Sequence, residues 1–176
     1  MKTIKTQNLI VRSLDVSDVS DKYVDWLNDI EVNRFLDLSP EKQTRKICED
    51  FVYKMSEDVN EELFGIFTID RVHIGNCKLG NINRKHGTAE VSFFIGDKTC
   101  WGLGYATEVL LSIIQYGFTN LNLDKITAGC CEFNFGSLKV LIKSGMQIEG
   151  FLRKQVQVAG KRQGVYRLGV LKNDYK

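Results

Sequence analysis

The stretch GDKTCWGLGYATEVLLSIIQYGF, residues 96–118, decides the fold. It leaves a strand through Gly96, crosses a short polar loop, sets small residues at Gly102, Gly104 and Ala106, and enters a long amphipathic helix at once. The first turn of that helix, residues 103–107, carries N–H groups that no earlier turn can satisfy. The helix dipole adds partial positive charge at the same point, and a diphosphate matches both features. Gly102 and Gly104 remove Cβ atoms that would hold phosphates off, and Thr107 adds a hydroxyl. An ordinary tight turn into a helix is the competing reading. No Gly-Lys-Ser/Thr follows, which excludes a P-loop, and the glycine spacing fails the dinucleotide fingerprint.

Outward from this stretch the period of the apolar residues sets the elements. NLIVRSL (8–14) reads as a first strand. The next segment reads as a helix with Val19, Tyr23, Trp26, Leu27 and Ile30 on one face and Ser17 or Asp18 as its cap. SPEKQTRKICEDFVYKM (39–55) predicts a second helix, capped by Ser39, with Pro40 at its first position and Ile47, Phe51 and Met55 inward. Two strands joined at Asp70–Arg71 follow, and TAEVSFFIG (88–96) is the fourth strand, apolar on both faces beyond Val91 and therefore central. Residues 104–119 form the third helix, with Ala106, Leu110, Ile113, Ile114 and Phe118 inward. The fifth strand is 124–133, the fourth helix is 134–146 and stops at Gly145, and a hairpin about AGK (159–161) closes the chain. This order predicts an α/β sandwich with one mixed sheet of seven strands and about four helices, a single domain over 1–176.

Composition excludes several function classes. A formal net charge of +2 argues against a nucleic-acid or membrane-surface partner. No apolar run spans a bilayer and the N-terminus lacks signal-peptide features, so the expected location is the cytoplasm. The five cysteines form no CxxC pair, and only His73 and His86 accompany them, so neither a disulfide framework nor a metal site is expected.

The loop and its surroundings resemble the GCN5-related N-acetyltransferase (GNAT) superfamily, and within it the ribosomal-protein N-terminal acetyltransferase branch. The family loop is Gln/Arg-x-x-Gly-x-Gly/Ala. WGLGYA (101–106) fits at Gly104 and Ala106, with Trp101 in place of the Gln/Arg. YATE (105–108), YGF (116–118), Asn134 and Ser137 as N-x-x-S, KSGM and IEGFLR (148–153) follow in register. The resemblance implies a mixed, mostly antiparallel GNAT sheet splayed between strands four and five. It implies acetyl-CoA as co-substrate, with its diphosphate on the backbone of Trp101, Gly102, Leu103, Gly104, Tyr105, Ala106 and Thr107. It further implies pantetheine along Phe94, Ile95 and Gly96, with Asn134 reaching the cofactor arm. Unpaired strand edges inside a core need partners, which pantetheine amides supply.

Acetyl transfer to an amine requires removal of an ammonium proton, a donor for the developing oxyanion and, for the thiolate, an acid. Glu90 is the first choice of base, a carboxylate in an apolar strand. It precedes Trp101 by eleven residues, the offset of the catalytic glutamate in the superfamily's histone acetyltransferases. The alternative places Glu90 on the solvent face or in a pair with Lys85. The family's general-acid tyrosine is replaced by Leu141, and relatives near this branch use a serine that matches Ser137. That serine either serves the thiolate or back-bonds to the carbonyl four residues earlier. The Phe94 N–H is the expected oxyanion donor.

The acceptor is expected at the first helices and the C-terminal hairpin. WLND-type segments similar to residues 26–29 occur in acetyltransferases of nucleotide-linked amino sugars, with Arg12, Arg34, Arg153 or Lys154 available to a phosphate. A ribosomal-protein N-terminus is the second acceptor and a polyamine the third. A catalytically silent acyl-CoA-binding domain is the reading of another class. The protein is expected to be a monomer or homodimer.

Overall fold

The computed structural model describes residues 2–39 and 41–175. Its elements in order are β1 (Thr3–Lys5), β2 (Leu9–Ser13), α1 (Asp21–Asn28), α2 (Ile30–Asn33), α3 (Arg45–Glu57), β3 (Glu62–Thr68), β4 (His73–Asn83), β5 (Thr88–Ile95), α4 (Tyr105–Asn120), β6 (Lys125–Cys131), α5 (Phe135–Lys143), β7 (Gln147–Val158) and β8 (Lys161–Leu171). The strands form one sheet in the order β1-β2-β3-β4-β5-β6-β8-β7. Every neighbouring pair is antiparallel except β5–β6, whose crossover helix is α4.

This is the expected mixed α/β sheet with one strand and one helix more. β1 pairs Thr3 with Arg12 and Lys5 with Ile10, and three residues are too few to show an alternating pattern. The fourth and fifth strands of the sequence reading are therefore β5 and β6. The extra helix, α2, is one turn whose start is capped by Asp29, which accepts from the Glu31 amide. Two caps also move. Asp15 caps a 3-10 turn over Val16–Asp18, and Ser20, accepting from the Tyr23 amide, starts α1. Thr44 caps α3 through the Ile47 amide, so that helix begins at Arg45 rather than at Ser39. The expected role of Pro40 lies outside the described residues. The buried face of α3 is Cys48, Val52 and Met55, whereas Ile47 and Phe51 are exposed. Both sets are apolar at helical spacing, and only packing against the sheet chooses between them.

Each face of the sheet carries its own core. On one face α4 and α5 bury Leu110, Ile113, Ile114 and Leu141 against Ile74, Leu79, Val91, Ile126 and Leu168. On the other, α1 and α3 bury Tyr23, Trp26, Leu27, Cys48 and Val52 against Phe67 and Phe94. The second layer lies over β2 to β5 and leaves the β6–β8–β7 part of that face without a helix. Cys48, Cys77 and Cys130 are buried, Cys100 and Cys131 half-buried, and all five are free thiols. Among the described residues no helix is long and apolar enough to cross a membrane.

Candidate functional site

The site begins where β5 and β6 stop pairing. Their ladder joins Thr88 to Lys125, Ala89 to Ile126 and Glu90 to Thr127, and ends there. Beyond it β5 runs on to Ile95 along β4, while β6 runs on to Cys131 along β8. The strands part into a V with Glu90 at its crotch.

Which main-chain groups line the V follows from the alternation of strand hydrogen bonds. The Gly87 carbonyl accepts from the Asp124 and Lys125 amides, so odd-numbered residues of β5 face β6. The Gly96 amide donates to the Ile74 carbonyl at 2.8 Å, so even-numbered residues face β4. Phe93 and Ile95 therefore present their backbone to the gap, and Phe94 and Gly96 turn theirs toward β4. The expected backbone contacts are one residue out of step at those two positions, because the parity is set where β5 enters the sheet and leaves no trace in composition. The Ile95 carbonyl is already taken by the Trp101 indole N–H at 2.8 Å. That bond ties the loop to the strand edge and leaves the Ile95 amide and both groups of Phe93 open. Gly96 keeps a different role: a Cβ there would lie 2.1 Å from Trp26 Cδ2, so the glycine admits the α1 tryptophan onto the end of β5.

The loop leaves a run of main-chain donors free, an arrangement that suits an anion. Asp97 caps a 3-10 turn over Lys98–Cys100 by accepting from the Thr99 amide and hydroxyl. Gly102 and Gly104 then adopt φ of +76° and +85°, left-handed values that favour glycine, with nothing within 4 Å of an added Cβ. The amides of Gly102, Leu103, Gly104, Tyr105 and Ala106 have no acceptor among the described residues. The Thr107 amide differs, since it donates to the Gly104 carbonyl. The nearest acid, Glu108, faces away and accepts from the Asn8 amide and side chain at 2.7 and 2.9 Å. Lys98 pairs with Asp29 and Glu31, and Lys22 with Asp97, which docks the loop on α1 and α2. Exposed pairs of this kind add little stability and serve mainly to orient.

At the crotch, Glu90 Oε1 accepts from Arg167 Nη1 at 2.7 Å, and each side chain is about one-third exposed. The sequence reading missed Arg167 and offered Lys85 instead. β8 lies between β6 and β7, and Gly129 of β6 stands opposite Arg167, so the guanidinium lies across β6 to reach β5. A groove of about 180 Å³ opens beside the pair, lined by Lys78, Gly80, Asn81, Glu90, Val91, Ser92 and Gly129. A larger cavity of about 280 Å³ lies among Leu27, Asn33, Leu38 and Gln43, and none of its lining belongs to β5 or β6.

Across the V, Asn134 caps α5 by accepting from the Ser137 amide. The Ser137 hydroxyl lies by the Cys130 thiol rather than bonding back to residue 133. Leu141 is buried in the core. His86 is exposed in the β4–β5 turn, and Tyr105 packs on the core. Several polar side chains of the expected acceptor region are spent on structure. Arg12 forks onto Asp18 at 2.8 and 2.6 Å and stacks on Phe67. Asn28 exchanges bonds with the Gln43 main chain, and Asn33 bonds the Leu27 carbonyl. Arg153 and Lys154 are exposed on β7. The described residues contain no group of side chains suited to a metal ion.

Known proteins share the family and the fold. A family model described as an acetyltransferase (GNAT) domain matches residues 8–147. The uncharacterised N-acetyltransferase p20 of Bacillus licheniformis is 31% identical over 180 residues, covering 99% of each chain. The crystal structure of spermidine N-acetyltransferase from Vibrio cholerae in complex with CoA and spermine superposes with a TM-score of 0.87 at 25% identity, covering 95% of this chain and 97% of that one.

Proposed function

The chain belongs to the GNAT acetyltransferase family and is an acetyl-CoA-dependent N-acetyltransferase, and on that premise we propose that the V between β5 and β6 holds the thioester arm while the groove beside Glu90 delivers a small primary amine. The observation that carries this reading is the run of five acceptor-less amides at residues 102–106, continuous with the unpaired edge of β5. Free amides at a helix start suit a diphosphate, and an unpaired inner edge suits the pantetheine amides.

Bound acetyl-CoA supplies an activated acetyl carbonyl, so positioning and proton removal remain for the protein. Glu90 at the crotch takes the proton of the acceptor ammonium, directly or through one water, leaving a neutral amine to attack. The amides of Phe93 and Ile95, rather than that of Phe94, donate to the pantetheine and to the carbonyl oxygen as it gains charge. Attack leaves a second proton on the nitrogen, and Ser137 at the head of α5 relays it, taking up that proton as its own hydroxyl proton passes to the departing thiolate, so that amide and thiol form together. Asn134 keeps its side-chain N–H₂ for the cofactor arm, since its oxygen is used as the cap.

An amino sugar, free or nucleotide-linked, is the first acceptor. The support is a polar groove with Asn81 and Ser92 in its lining, where Glu90 already pairs with Arg167 and Lys78 with Glu61 behind it. A polyamine is the second reading, favoured by the superposition on the Vibrio cholerae spermidine enzyme. A protein N-terminus, which the ribosomal-protein branch motifs suggest, is third. The test is calorimetry with acetyl-CoA followed by thiol release with an amine panel. Binding with turnover of at least one amine supports the reading; binding with none makes the protein a silent acyl-CoA carrier.

A further inference from the structure

We infer that Arg167 is a specificity-determining residue and that the acceptor amine carries an anionic group, a phosphate or carboxylate, which Arg167 seats beside the crotch of the V. The inference rests on the acetyltransferase reading above. It begins from how incompletely Arg167 is used. A guanidinium has five N–H donors in a rigid fork, and among the described residues Arg167 makes one contact, from Nη1 to Glu90 Oε1. The remaining donors stay at a side chain about one-third exposed, whose ion-pair partner Glu90 and cross-strand neighbour Gly129 line the groove.

The groove has the same bias elsewhere. Lys78 Nζ pairs with Glu61 Oε2 at 2.7 Å, and Glu61 Oε1 accepts from the Asn81 amide, so Glu61 has an engagement on each oxygen. The Ser92 hydroxyl has no acceptor among the described residues. Glu61 Oε2 has the ion pair but no hydrogen bond, and Glu90 keeps one oxygen with neither among the described residues. A molecule filling this space meets the Asn81 amide, the Ser92 hydroxyl and the Lys78 ammonium beside Glu90, so acceptors on the molecule find donors here as well.

Two glycines leave room for the arrangement. A Cβ at Gly129 would lie 3.2 Å from Arg167 Nη1, and one at Gly80 would lie 2.4 Å from Glu61 Oε2. The chain leaves both positions bare where the charges lie flat on the sheet. A planar fork beside the reacting carboxylate matches a carboxylate or phosphate on the acceptor. Such an anion draws the fork from Glu90 and frees that oxygen for the ammonium proton. A polycation offers Arg167 nothing and meets its charge.

The test is steady-state kinetics with four acceptors: glucosamine, glucosamine 6-phosphate, a nucleotide-linked amino sugar and spermidine. The wild type is expected to prefer the two anionic acceptors by about tenfold to a hundredfold in kcat/KM, the range of a charge-assisted contact. The preference is carried by KM. Arg167→Met should erase it, and Arg167→Lys should restore part of it with a poorer KM. Calorimetry with acetyl-CoA verifies that the variants remain folded and loaded. Gly129→Ala is the second probe, because it displaces the guanidinium without removing it, and it should raise KM for the anionic acceptors selectively. Equal use of glucosamine and its phosphate, a preference for spermidine, or a preference that survives Arg167→Met overturns the inference. Turnover of none of the four with acetyl-CoA bound overturns it too, whereas failure to bind acetyl-CoA refutes the underlying reading.

Discussion

β5 and β6 are ordinary parallel neighbours over three residues and strangers over the rest. Between Thr88 and Glu90 each strand satisfies the other. Past that point β5 keeps only β4, and β6 only β8. The paired half is buried through Ala89 and Ile126, as a core ladder should be. The parted half carries unpaired main chain from Phe93 and Ile95 inside the sheet, where an unmade hydrogen bond costs about 1–3 kcal/mol. A fold tolerates that cost where a ligand completes the ladder, and this contrast, rather than any cavity, is the reason the thioester arm is proposed to lie there.

The largest effect should come from chemistry at the boundary of the two halves. Glu90→Gln is expected to lower kcat by about a hundredfold or more while the calorimetric affinity for acetyl-CoA stays unchanged; an unaltered pH–rate profile would remove Glu90 from the mechanism. Next is the mouth of the parted half. Gly104→Glu places a Cβ at φ +85° and a carboxylate among the free amides, and should weaken acetyl-CoA binding by at least about a hundredfold. Unchanged affinity would show that the loop is only a turn.

Smaller changes sharpen the contrast. Gly96→Ala forces a Cβ into the Trp26 indole and should cost about 1–3 kcal/mol of stability, read as a lower Tm. Trp101→Phe keeps the ring but frees the Ile95 carbonyl, and should change the KM for acetyl-CoA about threefold to tenfold. The smallest effect concerns His73, which packs under Trp26 and stacks on Phe67. Burial pushes its pKa below the ordinary 6.5, outweighing the hydrogen bonds that the ring Nε2–H donates to the Asn76 side-chain oxygen and the Gly75 carbonyl. A depressed value means the unfolded chain takes the proton first. Its contribution is full above pH 6.5 and is lost as the pH falls below that toward the folded value. Tm should decline on acidification through this window, and less so in His73→Phe.

Part of the site was legible in residue order. The loop glycines, the long helix after them and Glu90 at a fixed distance before them are local patterns, and each fell on the element expected. Leu110, Ile113 and Ile114 are fully buried where helical spacing put them. The errors share one cause. Ile47 and Phe51 lost to Cys48 and Val52, Ser39 lost to Thr44 as a cap, and Phe94 lost to Phe93 as the residue facing the gap. Each choice depends on a neighbour distant in sequence.

The amino-acid sequence by itself determined the order of all but one strand and one helix, the small-residue loop at residues 102–106 and the family, because periodicity, small residues and helix starts are local. Tertiary structure alone decided that Arg167 meets Glu90 across β6, that β8 inserts between β6 and β7, and that Phe93 and Ile95 line the V. Those facts rest on sheet order and hydrogen-bond parity, which form only when strands far apart in the chain come into register.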